Sequence, residues 1–99
     1  DVPLIKRVIA VAGDTLDIDF EEGIVYLNGE ELHEDYIAEP TYTDFTDGPD
    51  YPITIPTGYV FVMGDNRNRS LDSRSGTVGL VNEQYIVGKM VKDLSGTEE

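Results

Sequence analysis

The sequence predicts a mainly β domain, antiparallel or mixed, with long irregular loops. Apolar and polar residues alternate with period two in several short runs, and no stretch sustains a 3.6-residue repeat. Glycine, Asn–Gly and proline punctuate the chain between those runs. At 99 residues the chain has material for one small domain.

The elements follow in order. Leu4 to Ala12 is rich in β-branched residues and ends at Gly13–Asp14, a turn pair, so it reads as a strand. In an unbroken strand Leu4, Lys6, Val8, Ala10 and Ala12 share one face, and Ile5, Arg7, Ile9 and Val11 share the other. Thr15 to Phe20 alternates, gathering Leu16, Ile18 and Phe20 on a packed face. Glu21–Glu22–Gly23 turns into a strand at Ile24–Leu27. Asn28–Gly29 then predicts a tight hairpin, because both residues tolerate positive φ, with a partner strand ending at Leu32.

Residues 33–58 change character. Pro40, Pro49, Pro52 and Pro56 with Asp47–Gly48 predict a long irregular, acidic and solvent-exposed excursion, extended only at Ile53–Ile55. Tyr59–Met63 reads as a buried strand between Gly58 and Gly64. Val78–Val81 and Tyr85–Val91 read as further strands, Asn82–Gln84 as a single helical turn, and Thr97–Glu99 as a frayed tail.

Seven Lys and Arg against twenty Asp and Glu leave a net charge of −13. Such a field opposes a nucleic-acid backbone, whose binding depends on cations neutralising phosphates, and disfavours an anionic lipid surface. Without cysteine there is no disulfide framework and no thiolate nucleophile. No apolar run approaches the roughly 20 residues of a membrane helix, and no signal peptide opens at Asp1. No cofactor and no metal is expected. Asp44, Asp47 and Asp50 lack the alternating ligands and turn glycine of a calcium loop, and His33 stands without a second histidine at ligand spacing.

Two segments carry chemistry. Gly64 to Gly76 packs three arginines, two aspartates and three serines into one interval directly after a buried strand. The plain reading is a surface loop whose Arg and Asp satisfy one another. A phosphate cradle lacks its glycine spacing, and Asn68–Arg69–Ser70 also fits a glycosylation sequon. Lys6 is the second feature. From the strand pattern alone it reads either as an edge lysine whose stem snorkels over apolar surface or as an amine desolvated between Leu4 and Val8. Burial lowers a lysine pKa, and a neutral amine can deprotonate a hydroxyl.

Taken together, Lys6–Arg7–Val8–Ile9–Ala10–Val11–Ala12–Gly13–Asp14 and Gly64–Asp65–Asn66–Arg67–Asn68–Arg69–Ser70–Leu71–Asp72–Ser73–Arg74–Ser75–Gly76 resemble type I bacterial signal peptidase. The second segment fixes many polar identities without a gap. The likeness extends through Tyr26–Gly29 and Val60–Met63 to Ile86–Lys89. It implies a β domain of the signal peptidase type, with residues 1–99 forming one truncated peptidase domain and 33–58 an excursion within it.

It further implies a membrane-anchored serine endopeptidase that uses a Ser/Lys dyad to remove signal peptides from exported preproteins on the extracytoplasmic side of the cell membrane. By motif position Lys6 would be the general base and Ser70 the hydroxyl that orients it. Asp72 and Arg74 would support the site, with Arg7 and Asp65 in the adjoining network. Ala10 and Ala12 would lie against substrate; Ala10 stands where the commonest form of the motif has glycine, and Ala12 where it often has proline. The family's nucleophilic serine lies upstream of the lysine strand, next to the membrane anchor, and the five residues before Lys6 contain none. The chain is therefore expected to be inactive alone and, with apolar surface uncovered, inclined to self-association. A self-cleaving Ser/Lys domain, a non-catalytic peptide-binding β module and a purely structural domain are the alternatives.

Overall fold

The computed structural model describes residues 6–87 and 90–91, of which 86–87 and 90–91 are described by backbone alone. The strands are β1 (Arg7–Val11), β2 (Thr15–Asp19), β3 (Ile24–Leu27), β4 (Glu30–Glu31), β5 (Ile53–Thr54), β6 (Tyr59–Met63), β7 (Val81–Asn82), β8 (Ile86–Val87) and β9 (Met90–Val91), with a 3₁₀ turn at Glu83–Tyr85. They form two antiparallel sheets, ordered β7-β6-β1-β9-β8 and β4-β3-β2-β5. The domain is mainly β, as the alternation and turn signals predict.

The second sheet follows its local sequence. Asn28 and Gly29 both take positive φ, which makes the β3–β4 hairpin tight. The amide of Leu32 donates to the Val25 carbonyl at 2.9 Å, continuing the pairing one residue past β4. Leu16 and Ile18 face inward on either side of the exposed Asp17. They meet Val25, Ile55, and Ile9, Ala10, Phe61 and Met63 from the first sheet, so the main core lies between the two inner faces. Burial of these side chains supplies the chief stabilising term, at about 25 cal/mol per Å² of apolar surface.

β6 is buried on both sides. Phe61 and Met63 point into the main core, while Val60 and Val62 pack with Val8, Val78 and Val81 in a second cluster. β1 departs from the expected alternation. Its pairing with β6 runs Val8 to Val62 but Ala10 to Phe61, with a bulge between Val8 and Ala10. A bulge sets two residues against one and shifts the facing of everything beyond it. Ile9 and Ala10 are therefore both buried, and Ala10 leaves the face of Val8 for the core.

Three further expectations change. Tyr85–Val91 is not one strand: β8 and β9 pair antiparallel with each other, Val87 opposite Met90. Val78–Val81 is extended only at its end, since a turn over Gly76–Val78 and a positive φ at Gly79 bend the chain before β7. The amides of Val78 and Gly79 both donate to the Ser75 carbonyl, which closes that turn. The acidic excursion is irregular apart from β5, yet it is not simply solvated: Thr41 is buried, and the Glu34 side chain is 6% exposed. At Gly48 a Cβ would overlap the Arg74 carbonyl oxygen, so the excursion lies backbone against backbone on the polar loop. Leu4, Ile5, Gly88, Lys89 and the expected tail at 97–99 fall outside the described residues.

Candidate functional site

The loop after β6 folds back along the edge of the strand it leaves. Ser73 fixes the return: its hydroxyl accepts from the Val62 amide at 2.9 Å, and its amide donates to the Val62 carbonyl at 3.0 Å. Asp72 and Arg74, on either side of it, have no side-chain exposure and form a bidentate pair, Arg74 Nε and Nη2 each donating to a different carboxylate oxygen at 2.8 Å. Asp72 also accepts from the amides of Gly64 at 2.9 Å and Arg74 at 3.1 Å. Arg74 completes its set on the Thr43 carbonyl at 3.1 Å. A buried ion pair with this many hydrogen bonds is costly to break on one side only. It serves as the internal frame of the loop, so the reading of a surface loop fails: Arg67, Asp72, Ser73, Arg74 and Ser75 are all buried.

Gly64 is held from both directions. Asp72 takes its amide, and Arg67 Nε donates to its carbonyl at 2.9 Å. A Cβ on Gly64 would overlap the Ser70 side chain and stand 3.6 Å from Lys6 Nζ. Glycine is needed here for that close approach: the lysine amine and the serine hydroxyl converge over the same bare Cα. Ser70 Oγ donates its single proton to the Asn66 carbonyl at 2.7 Å, so towards any other neighbour it acts as an acceptor.

Lys6 is half-buried. Its pKa is lowered from 10.5, first by burial; Asp72 acts in the opposite sense and Arg74 adds to the depression. Because those two charges oppose each other within a closed pair, loss of water decides the direction. An amine of this kind has a larger neutral fraction near physiological pH than a free lysine, which suits proton abstraction.

Of the residues expected at the site, Lys6, Ser70, Asp72 and Arg74 gather around Gly64. Arg7 and Asp65 form a bidentate pair at 2.9 and 2.8 Å, with side chains 35% and 42% exposed. Hydrogen bonds from Arg7 hold the Asp65 carboxyl below the usual range. Ala12 is exposed just beyond β1, whereas Ala10 is 1% exposed in the core and presents no side-chain surface. The sequon asparagine is fully engaged. Asn68 Oδ1 accepts from the amides of Tyr42 and Thr43, and Nδ2 donates to Glu39 and the Pro40 carbonyl.

Sequence reading missed Arg67, Glu34, Tyr36 and Thr41. Arg67 is buried, donating to Thr41 Oγ1 at 3.0 Å and to Glu34 Oε2 at 2.6 Å. A count of charges carried the signal. The loop's three arginines, with Arg7 before them, outnumber its two aspartates, so pairing them all required a carboxylate from elsewhere.

Residues 1–93 match the family described as signal peptidase, peptidase S26. The chain is 45% identical over 84 residues to the probable signal peptidase I-1 of Synechocystis, covering 85% of this chain and 38% of that protein. It is 37% identical over 94 residues to signal peptidase I S of Bacillus subtilis, covering 89% and 50%. A crystal structure of a signal peptidase I from Enterococcus faecalis superposes with a TM-score of 0.60 at 30% identity, covering 90% of this chain and 80% of that one. The chain thus spans half or less of the length of these two curated relatives.

Proposed function

The chain belongs to the signal peptidase, peptidase S26, family, and from that premise we propose that the protein carrying it is a membrane-anchored serine endopeptidase that removes signal peptides from exported preproteins, with Lys6 as general base. The observation that carries this reading is the approach of a desolvated Lys6 amine and the Ser70 hydroxyl to the same side of Gly64.

The nucleophilic serine belongs to a segment other than these 99 residues, so the chain alone does not cleave. No helix among the described residues is long and apolar enough to cross a membrane; the anchor is assigned to the same further segment, with this domain on the extracytoplasmic side. Neutral Lys6 takes the serine proton as the oxygen attacks the scissile carbonyl, then delivers it to the departing amine. The acyl-enzyme is hydrolysed when the same amine deprotonates water.

Ser70 sets the direction of the amine. Its own proton is committed to the Asn66 carbonyl, so its oxygen is free to accept an N–H of Lys6 during the reaction, leaving the nitrogen lone pair to face the nucleophile. Asp72, paired with Arg74, holds Gly64 through its amide, and the Arg7–Asp65 pair ties the start of β1, the residue after Lys6, to the loop. An extended substrate lies beyond β1 past Ala12, with Ala10 acting beneath it only through its small size in the core.

Preprotein cleavage by the full-length protein tests the reading. Lys6→Ala and replacement of the proposed upstream serine each abolish cleavage while folding persists. A Lys6→Ala enzyme that processes preprotein at the parental rate overturns it, and retained peptide binding without cleavage in the parent would favour the non-catalytic module.

A further inference from the structure

The acidic excursion reaches the site through one aromatic ring. Arg7 Cζ lies 3.8 Å from the centroid of the Tyr36 ring, and Arg67 Cζ lies 5.8 Å from it. The Tyr36 hydroxyl donates to Glu34 Oε2 at 3.1 Å, the same oxygen that takes Arg67 Nη2. Arg67 in turn holds the Gly64 carbonyl. A continuous tie therefore runs from the residue after Lys6, through Tyr36, Glu34 and Arg67, to the glycine over which Lys6 and Ser70 meet.

We propose that Tyr36 is a positioning residue for Lys6, its ring and hydroxyl fixing Arg7 against the Glu34–Arg67 pair so that the lysine amine stays over Gly64. The inference rests on Lys6 being the base. Lys6 immediately precedes β1, which begins at Arg7, so fixing the Arg7 side chain fixes the backbone from which the lysine extends. Asp65 alone does not achieve this, because the pair is half-exposed and such pairs hold geometry weakly. The ring supplies a cation–π contact that removes the remaining freedom of the guanidinium. Tyr36 itself stays protonated through the neutral range, since burial first, and then Glu34, push its pKa up.

The test is the pH profile of preprotein cleavage by the full-length protein. The charged groups that bear on Lys6 are Asp72 and Arg74, and both are left intact. In Tyr36→Leu the amine gains water, so the acid limb of kcat/KM moves to higher pH by about one unit, a roughly tenfold loss of kcat at neutral pH with KM within about twofold. Tyr36→Phe keeps the ring against Arg7 but breaks the bond to Glu34, so it gives a smaller shift in the same direction, and as the mildest change it keeps the test readable if Tyr36→Leu does not fold. A limb fixed at the parental pH, with activity falling only as the folded fraction falls, overturns the inference. Lys6→Ala separates the two levels: if it retains the parental rate the base assignment fails, and if it is inactive while the limb is unmoved the positioning role alone fails.

Discussion

Replacing Asp72 by Asn probes the frame of the site with the least change of shape. Both Asp72 oxygens are used twice: Oδ1 accepts from Arg74 Nε and the Arg74 amide, and Oδ2 from Arg74 Nη2 and the Gly64 amide. An amide must turn its NH₂ towards one of those donor pairs, and the Arg74 guanidinium, with no exposure, loses its counter-charge. Leaving a buried charge unpaired costs about 3–5 kcal/mol. Against the ~5–15 kcal/mol that stabilises a domain of this size, that is a large share. The corresponding fall in Tm is at least about 12 °C. Thermal and urea unfolding of Asp72→Asn and of the double variant Asp72→Asn, Arg74→Met read the effect, the double variant recovering part of the loss because the orphaned cation is gone. A destabilisation below about 1 kcal/mol would refute the claim that this pair frames the loop. Where Asp72→Asn folds, the charge that raises the Lys6 pKa is gone while Arg74 still lowers it, so the acid limb of cleavage moves to lower pH, opposite to Tyr36→Leu.

Gly64→Ala forces the Ser70 side chain off the Asn66 carbonyl. Overpacking and the lost hydrogen bond together cost about 2–4 kcal/mol, and displacement of the dyad lowers cleavage about 100-fold; denaturant unfolding and single-turnover assays measure the two losses. Lys6→Met tests burial of the amine. The lowered pKa means that the unfolded chain binds the Lys6 proton more tightly, so the parent carries a stability penalty that is full below the folded pKa and vanishes as pH rises past 10.5. The variant's stability advantage accordingly shrinks across that alkaline window in urea titrations at fixed pH, and an advantage independent of pH contradicts the burial. Ser73→Ala removes the side-chain acceptor of the buried Val62 amide and lowers stability by about 1–3 kcal/mol, measured by the same unfolding curves.

What could be read without coordinates divides by range. The Asn28–Gly29 hairpin and the limits of Tyr59–Met63 rest on residues adjacent in sequence, and both stand. The bulge at Ile9 depends on register against β6, which is distant in sequence, and no local pattern in Leu4–Ala12 signals it. Its consequence is large, since it sends Ala10 into the core rather than onto the face of Val8. At the site, the density of Arg and Asp in Gly64–Gly76 marks the loop, but their partners are set by folding: Arg67 finds Glu34, and Arg7 finds both Asp65 and the Tyr36 ring. The expectation of a solvated excursion failed at Glu34 and Thr41 for the same reason, because composition shows the acidic charge and not the buried arginine that draws it in.

The proposed base is a single amine, that of Lys6. Heteronuclear NMR titration of Lys6 Nζ in the full-length protein measures its protonation directly. A desolvated Lys6 gives a midpoint below 10.5 that rises towards the ordinary lysine value in Tyr36→Leu. A midpoint at that ordinary value in the parent, with cleavage intact, would contradict it.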